Sequence, residues 1–158
     1  MGKAHAKGLS VICLIFNMLT EYFTPKHLTM TIKPVAELVS EARQGIDNLS
    51  PEQAAQEIHT HEVLLVDVRE PFELEKEGKI QGSVHAIRGG LELFADPACP
   101  FYNPAFHPAK RIIVYCAGGS RSALSAQTLK QMGYPDVAHI DGGLIAWKQK
   151  GLPVTNES

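Results

Sequence analysis

An α/β fold built on a parallel sheet is what this chain of 158 residues predicts, and three observations predict it. Val63–Val68 and Ile112–Tyr115 are continuous apolar runs, the pattern of strands buried on both faces of a parallel sheet. Val137–Ile140 is a weaker third run. Stretches with helical spacing, at about 71–77, 89–94 and 122–132, lie between these runs, and strands alternating with helices make parallel crossover units.

The elements follow in order. Lys3 and Lys7 precede an apolar stretch over residues 9–19, which is shorter than the ~20 residues a membrane-spanning helix needs. Its basic-then-apolar order is that of a signal peptide, yet Thr20-Glu21-Tyr22-Phe23 stands where a small-residue cleavage site belongs. Residues 1–30 are therefore expected to be a disordered leader, or an artefact of a true start at Met18 or Met30. The alternatives are a signal or membrane-contacting segment at 9–19, which would export or anchor the chain, and an extra packed helix. From Pro34, the residues Val35, Leu38, Val39, Ala42 and Ile46 keep helical spacing and Gly45 makes a stop, so 31–47 reads as a helical extension. Ser50-Pro51-Glu52-Gln53 starts a second helix, with Ser50 as N-cap and Gln53 at the capping-box position. Glu70-Pro71-Phe72-Glu73 starts a third, its acids suited to the positive end of the helix. Asp96–Pro108 holds four prolines and must be irregular. The main domain is expected over 48–154, with a tail at 155–158.

Composition bounds the chemistry. A hydrophobic content of 44% and a charged content of 20% are those of an ordinary globular domain. The net charge of −2 gives no electrostatic case for nucleic acid, although a local anion site needs only a few donors. Three cysteines, Cys13, Cys99 and Cys116, with no Cys-x-x-Cys pair, suit a reducing compartment such as the cytoplasm and argue against disulfides or structural zinc. No metal and no cofactor is called for. His59-Thr60-His61 reads as a solvated turn, and Cys99 as a passive thiol, with resolution of an oxidised Cys116 as the alternative.

Cys116-Ala117-Gly118-Gly119-Ser120-Arg121-Ser122 carries the functional signal. A strand, a tight loop headed by cysteine and then a helix would aim consecutive backbone N–H groups at the sulfur. The helix N-terminus adds positive potential, the glycines let the backbone curl, and Arg121 adds a fixed cation. Such surroundings favour the thiolate, so Cys116 reads as a nucleophile rather than a small buried hydrophobe.

These residues resemble the active-site loop of the rhodanese (thiosulfate sulfurtransferase) family, and three further stretches resemble that family in the same order. They are Leu64-Leu65-Val66-Asp67-Val68-Arg69-Glu70, Gly78-Lys79-Ile80-Gln81-Gly82-Ser83-Val84-His85, and Asp141-Gly142-Gly143 with Trp147. The resemblance covers about 48–154. It implies a doubly wound, mostly parallel sheet of about five strands with helices on both faces, and an active site at the carboxyl ends of the strands.

The resemblance also implies an activity. The Cys116 thiolate would take a sulfane sulfur from thiosulfate or a similar small anionic donor, hold it as a persulfide, and pass it to a thiol, a protein cysteine or, in an assay, cyanide. The amides of Ala117 to Ser122 would steady the terminal sulfur, and Arg121, with Arg88 as a second cation, would bind the anionic end of the donor. Ser120 and Ser122 would add hydroxyl donors, or Ser122 would cap the following helix. Asp67 and Arg69 are expected to form a structural ion pair near the site. His85 reads as a satisfied core histidine rather than a general base, and Trp147 as core. Two rivals remain open. A persulfide carrier or docking module would need the same cysteine. A cysteine phosphatase or arsenate reductase would need five residues between cysteine and arginine, where this chain has four, Ala117 to Ser120.

Overall fold

The structure, a computed structural model, describes residues 32–156. The expectations for residues 1–30, Cys13 included, lie outside the described residues, as does the end of the tail. Chain order is α1 (Val35–Gln44), β1 (Asp47–Leu49), α2 (Pro51–Thr60), β2 (Val63–Asp67), α3 (Pro71–Glu77), β3 (Val84–His85), a 3-10 turn (Arg88–Gly90), α4 (Leu91–Ala95), β4 (Arg111–Tyr115), α5 (Ser120–Gln131), β5 (Val137–Ile140) and α6 (Gly143–Gln149). The five strands form one sheet in the order β1-β5-β4-β2-β3, and every neighbouring pair is parallel.

Parallel pairing explains the apolar runs, because both faces of the central strands are covered. Along β4, Ile112 and Val114 pack on one side with Ala42, Leu91, Ala126 and Leu129. Ile113 and Tyr115 pack on the other with Ala54, Ile80, Leu144 and Trp147. The fold is therefore doubly wound, as the sequence predicts. Ser50 caps α2 through the expected capping box, its Oγ accepting the Gln53 N–H at 3.2 Å while the Gln53 side chain accepts the Ser50 N–H at 2.8 Å.

The 31–47 extension is helical over Val35–Gln44, as the sequence predicts, and it packs on the sheet domain: α1 lies against α5, Ala42 and Ile46 join the core, and the chain runs on from it into edge strand β1, which pairs with β5. The polar Asp47-Asn48-Leu49 gave no strand signal because only Leu49 of the three is buried. The helix expected at 89–94 is a 3-10 turn followed by the short α4.

The amino ends of the strands are tied by charge. Arg111 at the start of β4 donates to Glu57 at 3.0 Å and Asp47 at 2.7 Å, and it also pairs with Asp136. The 96–108 loop lies at this end, since it leads into the start of β4. Cys99 is half-buried in this loop.

Candidate active site

Cys116 follows β4 directly, at the carboxyl end of the central strand and level with the end of β2. Its side chain is almost fully buried, with 1% of the residue exposed. Two backbone amides turn inward to its Sγ: the Gly119 N–H at 3.2 Å and the Ser122 N–H at 3.4 Å. The curl rests on one glycine rather than two. Gly119 has φ +95 and precedes the first turn of α5, whereas Gly118 is exposed and keeps an ordinary φ.

The loop is wedged against the start of α6. A side-chain carbon on Gly143, whose φ is +57, would meet the Cys116 carbonyl at 2.3 Å and the Ala117 carbonyl at 2.7 Å. The reason is a pair of hydrogen bonds: the amides of Leu144 and Ile145 donate to those same carbonyls at 2.8 and 3.0 Å. A side chain on Gly119 would in turn meet the Gly142 amide nitrogen at 2.9 Å and Arg43 at 3.5 Å. The Asp141-Gly142-Gly143 segment thus shapes the cysteine loop from the adjacent strand. Arg43 of α1, which the sequence did not single out, stands beside the loop and pairs with Asp141 at 2.6 Å.

Arg121 is not a free cation. Its guanidinium makes two bonds of 2.7 Å to the Glu73 carboxylate on α3. That hydrogen bonding is the main reason the Glu73 carboxyl is held at about 2, well below its ordinary 4.5. Arg88, expected as a second cation, is engaged by other partners. It bonds Glu92 one helical turn on, at 2.9 Å, and Thr128 at 3.3 Å, and Thr128 lies six residues beyond Ser122 on α5. Ser120 is exposed on the loop's outer side.

Asp67 and Arg69 form the expected ion pair, with 0% and 1% of the side chains exposed. Arg69 reaches Asp67 at 2.6 Å, donates to the Gly78 carbonyl at 2.7 Å and lies over the Tyr115 ring. It thereby ties the end of β2 to the chain after α3, a structural task. His85 is not a core residue. It is exposed on the short edge strand β3, with its Nε2 2.8 Å from the Arg69 carbonyl. The buried histidine is His139 on β5, and the sequence did not single it out. Its Nδ1 lies 3.2 Å from Ser122 Oγ and its Nε2 2.9 Å from Asn48 Oδ1. Burial pushes its pKa down to about 4, and the Arg43 charge pushes the same way.

A cleft of about 320 Å³ opens beside Ala117, lined by Arg69, Phe72, Glu73, Lys76, Ile145 and Lys148 among others. Phe72 and Ile145 are largely exposed there.

The model of the rhodanese-like domain matches residues 50–150, which is most of the described chain. The chain belongs to the rhodanese-like family. A sulfurtransferase of Allochromatium vinosum is 31% identical over 111 residues, covering 69% of this chain and 94% of that protein. Among solved structures, a Rhodopseudomonas palustris protein described as of unknown function and a possible tyrosine phosphatase is 40% identical. It has a TM-score of 0.76 and covers 81% of this chain and 99% of its own. The polysulfide-sulfur transferase of Wolinella succinogenes, a homodimer, is 31% identical with a TM-score of 0.61, covering 75% of this chain and 85% of its own. These likenesses support sulfur transfer as the general activity of this rhodanese-like domain. Among its described residues no helix is long and apolar enough to cross a membrane.

Proposed function

We propose that this rhodanese-like protein moves a sulfane sulfur from thiosulfate, or a similar small anionic donor, through a Cys116 persulfide to a thiol or protein cysteine. The observation that carries the reading is a nearly buried cysteine with two backbone amides, those of Gly119 and Ser122, turned to its Sγ at the start of a helix. The Cys116 thiolate attacks the outer sulfur of thiosulfate, the S–S bond of the donor breaks, and sulfite leaves with the bonding pair. The negative charge then rests on the terminal sulfur, farther out in the loop, and the loop amides from Ala117 to Ser122 are its proposed donors. Fixed amide dipoles in a site with little water stabilise such charge without reorganising. The acceptor thiolate, or cyanide in an assay, takes the outer sulfur and restores the Cys116 thiolate.

An anionic donor must share Arg121 with Glu73, which keeps the cation at the mouth but partly satisfied. The loop length counts against phosphatase chemistry: four residues stand between Cys116 and Arg121, where a phosphatase would need five. The free Cys99 and Cys116 agree with a reducing, cytoplasmic setting.

Intact mass after treatment with thiosulfate tests the reading. The expected result is a gain of one sulfur atom that cyanide removes and that Cys116→Ser lacks. An unmodified Cys116 together with hydrolysis of an aryl phosphate would replace the proposal with the phosphatase.

A further inference from the structure

The Cys116 loop and the Asp141-Gly142-Gly143 turn behind it both lie within residues 50–150, the stretch that matches the family. A side chain from outside that stretch reaches the same place. Arg43 sits in the last turn of α1, and its Nη2 lies 3.5 Å from where a side chain on Gly119 would begin. Gly119 is the residue whose N–H is turned to Cys116 Sγ. The same Arg43 nitrogen donates to Asp141 Oδ1 at 2.6 Å. That oxygen also accepts the Gly142 N–H at 2.9 Å, and the Gly142 nitrogen is the other atom that closes the space beside Gly119.

Arg43 does not behave as an ordinary surface arginine. Its Nε is buried without a hydrogen-bond partner, the one such side-chain atom among the described residues. A buried donor without an acceptor is costly, and an arginine at a helix end could swing into water and satisfy all five of its N–H groups. The chain holds it in place instead. Asn48 Nδ2 donates to the Arg43 carbonyl at 2.8 Å and the Ile46 carbonyl at 3.0 Å, and the neighbouring Ala42 is fully buried. The backbone that carries the guanidinium is therefore fixed, and the guanidinium keeps its position at the expense of one donor. From Asp141 the contacts run on through the glycine turn to the amides of Leu144 and Ile145, which hold the Cys116 and Ala117 carbonyls. One carboxylate oxygen thus joins α1 to both sides of the cysteine loop.

We infer, resting on the sulfur-transfer reading, that Arg43 is a positioning residue for Cys116. With Asp141 it fixes the glycine turn and fills the space beside Gly119, so that the Gly119 amide stays on the sulfur. Arg43 touches no donor and moves no proton. It acts through a main-chain N–H, which stabilises charge only where it is aimed. The helix that precedes the matched stretch is thereby part of the frame of the active site.

Three full-length variants test this: Arg43→Met, Arg43→Lys and Asp141→Asn, which keeps an acceptor for Gly142 and removes the charge that holds Arg43. Single-turnover loading by thiosulfate, followed by intact mass per folded molecule, is expected to slow about ten-fold in Arg43→Met at saturating donor, less than outright loss of one such amide costs. The half-saturating thiosulfate concentration should stay within about two-fold, because Arg43 does not hold the donor. Arg43→Lys, which keeps a cation for Asp141, should recover most of the rate. Denaturation midpoints should move little, since the paired side chains are 37% and 51% exposed. Combining Arg43→Met with Asp141→Asn should be no slower than the slower single variant, and additive losses would overturn the shared route. Hydrogen exchange needs no sulfur donor: the Gly119 amide should exchange faster in Arg43→Met than in the parent, with the Leu129 amide of α5 unchanged. Unchanged Gly119 exchange, or an unchanged loading rate, would overturn the positioning role and leave sulfur transfer standing. A raised half-saturating concentration at full maximal rate would overturn it as well, by placing Arg43 on the donor. Faster Gly119 exchange in a protein whose parent gains no sulfur from thiosulfate would keep the positioning role and remove the sulfur-transfer reading.

Discussion

The two ends of β4 handle charge in opposite ways. At its start, the Arg111 cation is matched by the side chains of Glu57 on α2, Asp47 on β1 and Asp136 in the bend before β5. At its finish, the Cys116 sulfur is matched by the main chain, through amides of its own loop. Side-chain ion pairs hold elements together and tolerate small shifts, because long side chains follow their partners. Main-chain donors cannot follow, so they stabilise only an atom at one position. The first end is built for stability and the second for chemistry.

The comparison breaks most sharply at Gly143. Replacing it with Ala forces a methyl into the Cys116 and Ala117 carbonyls at a positive φ, and should cost about 3 kcal/mol of stability and most sulfur loading. Gly118→Ala, with open space around it, should change neither. Chemical denaturation with mass-based loading checks both, and an active Gly143→Ala would show that the loop can move.

Arg111→Met should lower stability by about 2 kcal/mol, since it leaves three carboxylates without their cation, two of them in good contact with water. Sulfur loading per folded molecule should stay unchanged. A loading defect would mean that the two ends are coupled.

Acid should separate the ends further. His139 titrates near 4 when folded against an ordinary 6.5, so the unfolded chain binds the extra proton first. Its contribution to stability is therefore complete above about pH 6.5 and is lost as pH falls toward 4, on the order of 1–3 kcal/mol. Glu73, held at about 2 by Arg121, gives up its contribution only below its ordinary 4.5. Denaturation midpoints across pH 2–8 should show two windows, and His139→Gln should flatten the upper one alone. The smallest effect is expected from Glu73→Gln. Releasing Arg121 should lower KM for an anionic donor several-fold with kcat little changed, and a raised KM would show that Glu73 orients the arginine usefully.

What the sequence revealed tracks how local each signal is. The apolar runs of β2 and β4, the capping box at Ser50 and the cysteine loop are each written in a few consecutive residues, and each is where the sequence predicts it. β1 was hidden because its strand character comes from pairing with β5 and not from its own polar residues. His139 was hidden because its partner Asn48 lies 91 positions away. The partners of Arg121 and Arg88 were hidden for the same reason: a cation's partner is a fact of packing, and Glu73 and Thr128 come from other helices.

The sulfur also occupies a place that belongs to another kind of atom. A helix usually has its third amide satisfied by an oxygen from the residue before its first turn, but Gly119 has no side chain to offer and the Ser122 amide turns to Cys116 instead. The nucleophile is thus the cap of α5. On the proposed transfer through Cys116, loading or delivering sulfur would change the charge on that cap, and the stability of the helix start with it. Hydrogen exchange at the first amides of α5 would follow turnover as fraying and tightening, a record of the catalytic cycle kept in secondary structure.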